Sequence, residues 1–387
     1  MEVRIGDSIE CNPTVKLVKG NEYPLIDIDK ISVGRKLVTN KDTIVYEKQS
    51  GCKFQNGDTL MARITPCLEN GKMAMASIPD KGIGSTELFV FRGKKGITDN
   101  DFVYYFLKQS YIRNLAANSM TGASGRQRAD LKFIKKIKFD LPSLPIQQKI
   151  ASILSAYDRL IENNTRRIRL LEQMAENLYK EWFVRFRFPE HENVEMVNGL
   201  PKGWNKKGLG NIADVCMGSS PKSEYYNDEK RGLPFHQGVG SFGERFVLDN
   251  TYSTSYSQIA EPMSILFSVR APVGRLNYTR NRIVIGRGVA AINHKEGMQS
   301  LLFYTLKAKF FKEDIIGNGA IFSSITKKEL LKLKLIVANK ELRVVFNNKI
   351  NKIDREIDIL YKQNQLLTRQ RDLLLPRLMS GKLEVKS

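Results

Sequence analysis

Residues 146–184, IQQKIASILSAYDRLIENNTRRIRLLEQMAENLYKEWFV, contain neither glycine nor proline. A stretch of that length with apolar residues at helical spacing orders as one helix, roughly 58 Å long. Ile150, Ile153, Tyr157, Leu160, Asn164, Leu171, Met174 and Leu178 follow alternating steps of three and four, with Arg167 the one poor fit. Such a heptad seam needs a partner helix to bury it. Pro145 suits the first turn, and FRFPE stops the helix near Pro189. Residues 343–379 repeat the pattern 200 positions later, with Ile350, Ile353, Ile357, Leu360, Asn364, Leu367, Leu374 and Leu378 on the same steps. Lys149/Lys349, Asp158/Asp358 and Arg169/Arg369 match without a gap. The expected inter-helix core is Ile150, Ile153, Leu160, Asn164, Leu171, Ile350, Ile353, Leu360, Asn364 and Leu374. A buried Asn weakens a coiled coil but fixes its register. The shared Asn and the ungapped match favour internal duplication over chance recurrence of heptads.

The segments before each helix echo one another: YFLKQSYIRNLAANSMTGAS at 105–124 and YTLKAKFFKEDIIGNGAIFS at 304–323. GIGSTE at 82–87 has a weaker counterpart in VIGRGV at 284–289. The repeated unit is therefore a mixed α/β globular domain followed by one long helix. The expected class is α+β: domains over 1–145 and 189–340, helices over 146–188 and 341–387, the helices packed as an antiparallel, pseudo-twofold coiled coil.

A formal net charge of +21 and a pI near 9.7 point to a polyanionic partner, most often nucleic acid. No charged leader runs into an apolar stretch, and no apolar run approaches the roughly 18 residues of a membrane span. Cys11, Cys52, Cys67 and Cys216 form no CxxC pair, and His191, His236 and His294 are isolated, so no zinc pattern emerges. Gly71-Lys72 and Gly381-Lys382 fail as phosphate loops because Pro66 and Pro376 occupy the position of the first glycine. Glu384-Val385-Lys386 resembles a nuclease E-x-K but lacks a preceding Pro-Asp partner. Binding, rather than chemistry within this chain, is the expectation.

RITPCLENGKMA, residues 63–74, lies between DTLMARI and KMAMASI, which alternate like strands, and Asn70-Gly71 is a hairpin signal. Arg63 and Lys72 are then projecting charges, either for a partner or simply solvated. TGASGRQRADLK at 121–132, GNGAIFSSITKK at 317–328 and SVRAPVGRLN at 268–277 combine glycine, hydroxyls and Arg, as DNA-contacting loops do. The candidate DNA contacts are Arg63, Lys72, Ser85, Thr86, Ser124, Arg126, Gln127, Arg128, Gln237, Arg270, Arg275, Arg287, Asn318, Ser323 and Ser324.

ARITPCLENGKMA, GIGSTELFVFR, MTGASGRQRADLK, QGVGSFGERFV, LFSVRAPVGRLN, GAIFSSITKKEL, LLLPRLMSGKL and the first long helix together resemble the specificity subunit of type I restriction-modification enzymes. The resemblance covers both halves and both helices. It implies two target-recognition domains, each reading half of a split site in double-stranded DNA, and paired helices that act as ruler and docking surface for two modification subunits. Those subunits methylate adenine from S-adenosylmethionine; restriction subunits add ATP-driven, Mg2+-dependent translocation and cleavage. The chain itself is then a non-catalytic, cytoplasmic subunit that binds no cofactor. Two rival readings are the specificity component of another methylation-based defence system and a coiled-coil protein that binds nucleic acid without sequence preference. One departure is that MEVRIGDSIE opens the first domain abruptly, whereas Trp204 opens the second within a fuller lead-in, so a reduced edge is expected in the first.

Overall fold

The computed structural model describes residues 1–39, 42–123, 125–310 and 324–385. The chain divides into two compact units, one built from Met1–Arg166 with Leu360–Ser387, the other from Arg167–Ile359. Each contains one globular domain and parts of both long helices, Leu144–Tyr179 and Lys340–Met379. The first helix continues as a π-turn over Lys180–Val184.

In the first unit a five-stranded sheet runs in the order Ile9–Cys11, Leu88–Gly93, Thr59–Ala62, Met73–Ala76, Leu37–Val38. A four-stranded sheet runs Thr43–Val45, Glu22–Ile26, Lys81–Gly84, Cys52–Gln55. The strands Thr59–Ala62 and Met73–Ala76 are buried on both faces. Met61, Met73, Met75, Phe89 and Phe91 face a core shared with the helix Asn100–Lys108, while Leu60, Ala62, Ala74, Ala76, Leu88 and Val90 face Ile26 and Phe54. The alternation in DTLMARI and KMAMASI thus separates two apolar faces, large residues toward helix and small toward sheet, rather than core from solvent.

The second unit repeats this plan. Ala213–Met217, Val289–His294, Ile265–Ser268 and Leu276–Tyr278 form one sheet. Tyr226–Asn227, Tyr252–Ser253, Leu233–His236, Ile283–Ile285 and Ile259–Ala260 form the other. In both units the second sheet contains a parallel pair, Glu22–Ile26 with Lys81–Gly84 and Leu233–His236 with Ile283–Ile285. In both, a further ladder leads into the long helix: Glu2–Arg4 with Lys138–Asp140, and Asn205–Gly208 with Lys334–Val337. The edge expected to be reduced in the first domain is present as a three-residue ladder against four in the second. Each unit is α+β, with helices on one side of mostly antiparallel sheets.

The helix segments run antiparallel within the first unit. Asn164 Nδ2 donates to Asn364 Oδ1 at 3.0 Å, and Asn364 Nδ2 to Thr165 Oγ1 at 3.3 Å. One heptad earlier, Asp158 meets Arg371. On the second helix the inward positions follow the seam read from the sequence at Ile350, Ile357 and Leu360, which are buried, and Arg371 fills the position that reading skipped; Ile353, Asn364 and Leu374 are partly buried, with Asp354 and Leu375 buried beside the first and last of them. On the first helix the seam is displaced by one residue. The inward column is Gln147, Ala151, Leu154, Asp158, Ile161, Thr165, Ile168, Glu172, Ala175 and Tyr179, with Ile150 and Asn164 buried beside it and Ile153 and Leu171 at its margin. Leu160, expected in the core, is 51% exposed and Met174 58%. Asp158, Thr165 and Glu172 hold inward positions, so a search for apolar residues slides to the neighbouring column.

The repeat also aligns differently. Matching the helix starts, Leu144 with Lys340, gives an offset of 196 rather than 200. Asp158 then corresponds to Asp354, not Asp358, and both carboxylates accept from equivalent tyrosines, Tyr105 and Tyr304. Four residues are close to one helical turn, so the two alignments share a face and heptad spacing alone does not separate them.

Buried polar contacts join each domain to its helices. In the first unit Tyr105 and Arg371 converge on Asp158, and Lys36 Nζ donates to Ser155 Oγ at 2.7 Å. Burial pulls the Arg371 guanidinium down, but the carboxylates of Asp158 and Asp372 outweigh it and hold its pKa above the ordinary value. In the second unit Asp354 accepts from Ser300, Tyr304 and Arg245, and Arg245 also pairs with Glu172 at 3.3 Å. The arginine comes from the long helix in one unit and from a domain loop in the other. Phe183 packs on Phe346 at 4.8 Å and on Trp204 at 5.6 Å, anchoring the end of the first helix in the second unit.

Candidate nucleic-acid interface

In the first unit the sequence-distant candidates converge. Strand Thr59–Ala62 leads into a ten-residue turn, residues 63–72, before strand Met73–Ala76. The turn is wound by Leu68 N to Ile64 O, Asn70 N to Pro66 O and Lys72 N to Cys67 O bonds of 2.9–3.0 Å, with Gly71 at φ +73°. Asn70-Gly71 therefore ends a wound loop; it is not a two-residue hairpin turn. The loop over 121–129 docks against it: Thr65 N donates to Gln127 O at 3.0 Å, Gln127 N to Thr65 Oγ1 at 3.1 Å and Ala129 N to Arg63 O at 2.8 Å. Arg63 N donates to Glu87 O at 3.0 Å, which brings in the Ser85–Glu87 segment.

Arg63, Ser85, Thr86, Arg126, Gln127 and Arg128 thus share one patch. Arg128 is exposed and grips Glu87 through two nitrogens at 2.6–3.1 Å, and this hydrogen bonding holds the Glu87 carboxyl below its ordinary pKa. A bidentate carboxylate presets the guanidinium plane and competes for the same donors that a guanine edge would take. Arg63 lies over the Phe89 ring at 5.1 Å with its Nε buried. Lys72 does not project: its ammonium donates to the Ile28 carbonyl at 3.1 Å. Arg126 and Thr86 are exposed, and Ser85 Oγ accepts from Glu87 N at 3.1 Å. Ser124 lies outside the described residues.

The second unit reproduces the frame. The bridge between Arg270 and Ser324 matches the one between Ile64 and Arg128. Asp130 caps Leu131–Lys136, and Thr326 caps Lys327–Lys332, its own backbone N donating in return to the Glu329 carboxylate. Arg270, Arg275, Arg287, Gln237 and Ser324 are all exposed. Arg287 N donates to Ser220 Oγ at 3.1 Å, and Gln237 O accepts from Gly288 N at 3.0 Å, so Arg287 and Gln237 sit on adjacent segments. Asn318 and Ser323 lie outside the described residues.

Two supports escaped the sequence reading. Glu87 carried no signal except its place after Ser85-Thr86. His236, read as isolated, is fully buried, with Nδ1 2.9 Å from Ser241 Oγ and Nε2 3.0 Å from Asp249 Oδ1. Burial raises the Asp249 pKa, but hydrogen bonds from His236 and Asn281 carry it below the ordinary value. The arrangement braces the loop that follows Gln237. Among the described residues no group of three or more His, Cys, Asp or Glu could hold a metal ion, and no helix is long and apolar enough to cross a membrane.

Residues 2–173 and 201–369 each match the profile of the type I restriction modification DNA specificity domain. The chain is 29% identical over 375 residues to a putative type I restriction enzyme MjaX specificity subunit of Methanocaldococcus jannaschii, covering 94% of this chain and 88% of that one. A second relative from the same organism, the MjaVIII specificity subunit, is 25% identical over 417 residues, covering 100% and 93%. The crystal structure of a type I restriction-modification S subunit from M. genitalium has the same fold, with a TM-score of 0.58 at 17% identity over 98% of this chain and 96% of that one. With both halves accounted for by one profile, the chain belongs to the family of type I restriction-modification DNA specificity subunits.

Proposed function

We propose that this subunit reads a bipartite site in double-stranded DNA, one half per unit, and recruits the modification and restriction subunits that act on it. The observation that carries the reading is the repeated frame: in each unit the loop after the central strand and the loop before a short capped helix meet and expose Arg and hydroxyl side chains. Those groups suit base edges and phosphates. The net charge of +21 supplies the electrostatic attraction. Leu160, Leu366 and Leu373 are each more than half exposed on the long helices, which suits helix faces that receive partner subunits. S-adenosylmethionine, ATP and Mg2+ belong to those partners, the chain contributes no catalytic group, and the complex works in the cytoplasm.

The test is the methylated motif of cells that carry this gene with its modification subunit, compared with cells lacking it. The expected motif is split, with adenine methylation in or beside two short halves. A continuous motif, or DNA binding with a steep salt dependence and no sequence preference, contradicts the reading.

A further inference from the structure

The first unit contains a cavity of about 530 Å3 between the 63–72 turn, the start of helix Ser110–Asn118 and the last turns of the second long helix. Leu68, Met73 and Leu375 give it an apolar wall, while Lys72, Lys108, Arg113 and Arg371 bring four cations against one carboxylate, Asp372. Asp372 is committed to Arg371 at 2.8 Å. Among the described residues Lys72 has only the Ile28 carbonyl. Arg113 rests against Gly71, where an added Cβ would fall 2.7 Å from its Nη1, and it pairs with no carboxylate among the described residues. Lys108 Nζ is buried without a hydrogen-bond partner among the described residues and lies 5.6 Å over the Tyr104 ring.

The second unit has the corresponding cavity, of about 430 Å3, and neutralises it internally. Lys307 occupies the place of Lys108 and pairs with Glu176; Arg245 pairs with Glu172 and Asp354. At the 196-residue offset, Glu176 corresponds to Asp372 and Glu172 to Thr368. The first unit thus lacks the glutamate that its counterpart uses, and the two acids beside its cavity, Asp158 and Asp372, are both held by Arg371.

We propose that the cavity of the first unit binds a phosphomonoester dianion attached to an apolar or aromatic body of nucleotide size. Three cations without carboxylate partners match a dianion better than a single carboxylate. An ammonium desolvated without hydrogen bonds is costly, and a phosphate supplies the missing acceptors. The volume falls in the range of small-molecule sites, and the apolar wall suits a base. Burial, with Arg371 beside it, pushes the Lys108 pKa down to about 8; a bound phosphate reverses that shift. The four-carbon stem lets Lys108 turn toward the cavity it lines. The phosphate could belong to a free nucleotide or to a DNA 5′ end.

Isothermal titration of the full-length chain with AMP and with inorganic phosphate tests this. The expected result is one AMP per chain, binding weakened about 10- to 100-fold in K108M and unchanged in K307M. K108M should itself be at least as heat-stable as wild type, because it removes a buried unpaired charge, and R113A provides a second variant with a lesion outside the core. A 5′-phosphorylated duplex that displaces AMP while its unphosphorylated form does not assigns the phosphate to DNA ends; AMP binding displaced by neither duplex assigns it to free nucleotide. No binding at millimolar AMP or phosphate overturns the proposal. So do AMP affinity in K108M equal to wild type, displacement by acetate as effective as by phosphate, or equal displacement by both duplexes.

Discussion

Replacing Arg371 with methionine keeps the volume and apolar stem of a residue only 1% exposed and removes its charge. Asp158, 6% exposed, then retains the Tyr105 hydroxyl as a donor but loses the guanidinium. Breaking a buried pair from one side typically costs about 3–5 kcal/mol. Spread over a unit of this size, that lowers the midpoint of unfolding by about 10 °C. Removing both charges in D158L/R371M should recover most of the loss, leaving the Tyr105 hydroxyl with only its long bond to Ser155 Oγ at 3.4 Å among the described residues, at a cost of up to about 1–3 kcal/mol, and D158L/R371M/Y105F should recover that too. Because the chain has two units, the assay is hydrogen exchange read by peptide rather than one melting curve. In R371M, protection should fall in peptides over 100–118 and 150–166. Peptides over 299–310, whose own aspartate is held by Arg245, should stay protected. A loss below about 1 kcal/mol, or equal loosening of the second unit, refutes the view that this pair ties the first domain to its helices.

Asn164→Leu with Asn364→Leu should raise the melting temperature of the full chain, because an amide pair gives way to apolar contact, while weakening helix register; a sharp fall in stability contradicts that. Alanine at Arg126 and Arg128 should relax one half of the methylated motif by about 1–3 kcal/mol per lost base contact, and equal effects on both halves count against separate readers. The Lys108 amine, near 8 in the folded chain against 10.5 ordinarily, titrates in a surrounding that includes Arg371, Asp158, Asp372 and Lys36. Its folded pKa is lowered, so the unfolded chain takes the proton first. Stability should therefore fall as pH drops from about 10.5 to about 8 and then level off, by an amount on the order of 3 kcal/mol. K108M should flatten that segment of the stability profile, and an identical slope in variant and wild type contradicts the burial of a charged amine.

The duplication and the second helix seam were legible because Ile350, Ile353, Ile357 and Leu360 advertise their face without ambiguity. The first seam was displaced because its inward column carries Asp158, Thr165 and Glu172, and their partners, Tyr105, Asn364 and Arg245, come from distant segments. Local periodicity is blind to such pairs. The strands on either side of the 63–72 turn were legible, but not its winding, which depends on successive backbone bonds that Asn70-Gly71 does not encode alone. The clustering of Arg63 with Arg126–Arg128 was not legible either, since backbone bonds across more than sixty residues create it. Glu87 and the buried His236 are intelligible only once those loops are in place.

The division of the chain into a split unit and a continuous one sets an order of events during synthesis. The continuous unit, Arg167–Ile359, has all its residues as soon as Ile359 has been made. The other waits: between Arg166 and Leu360 the ribosome adds roughly 190 residues, about 10–40 s at typical rates. Through that interval the nascent first domain lacks Leu374, Leu375 and Leu378 from its core, and Asp158 lacks its arginine. The first unit is therefore the last completed, and a chain truncated at Ile359 is expected to lose packing in the domain before Arg166 rather than in the one beside the break.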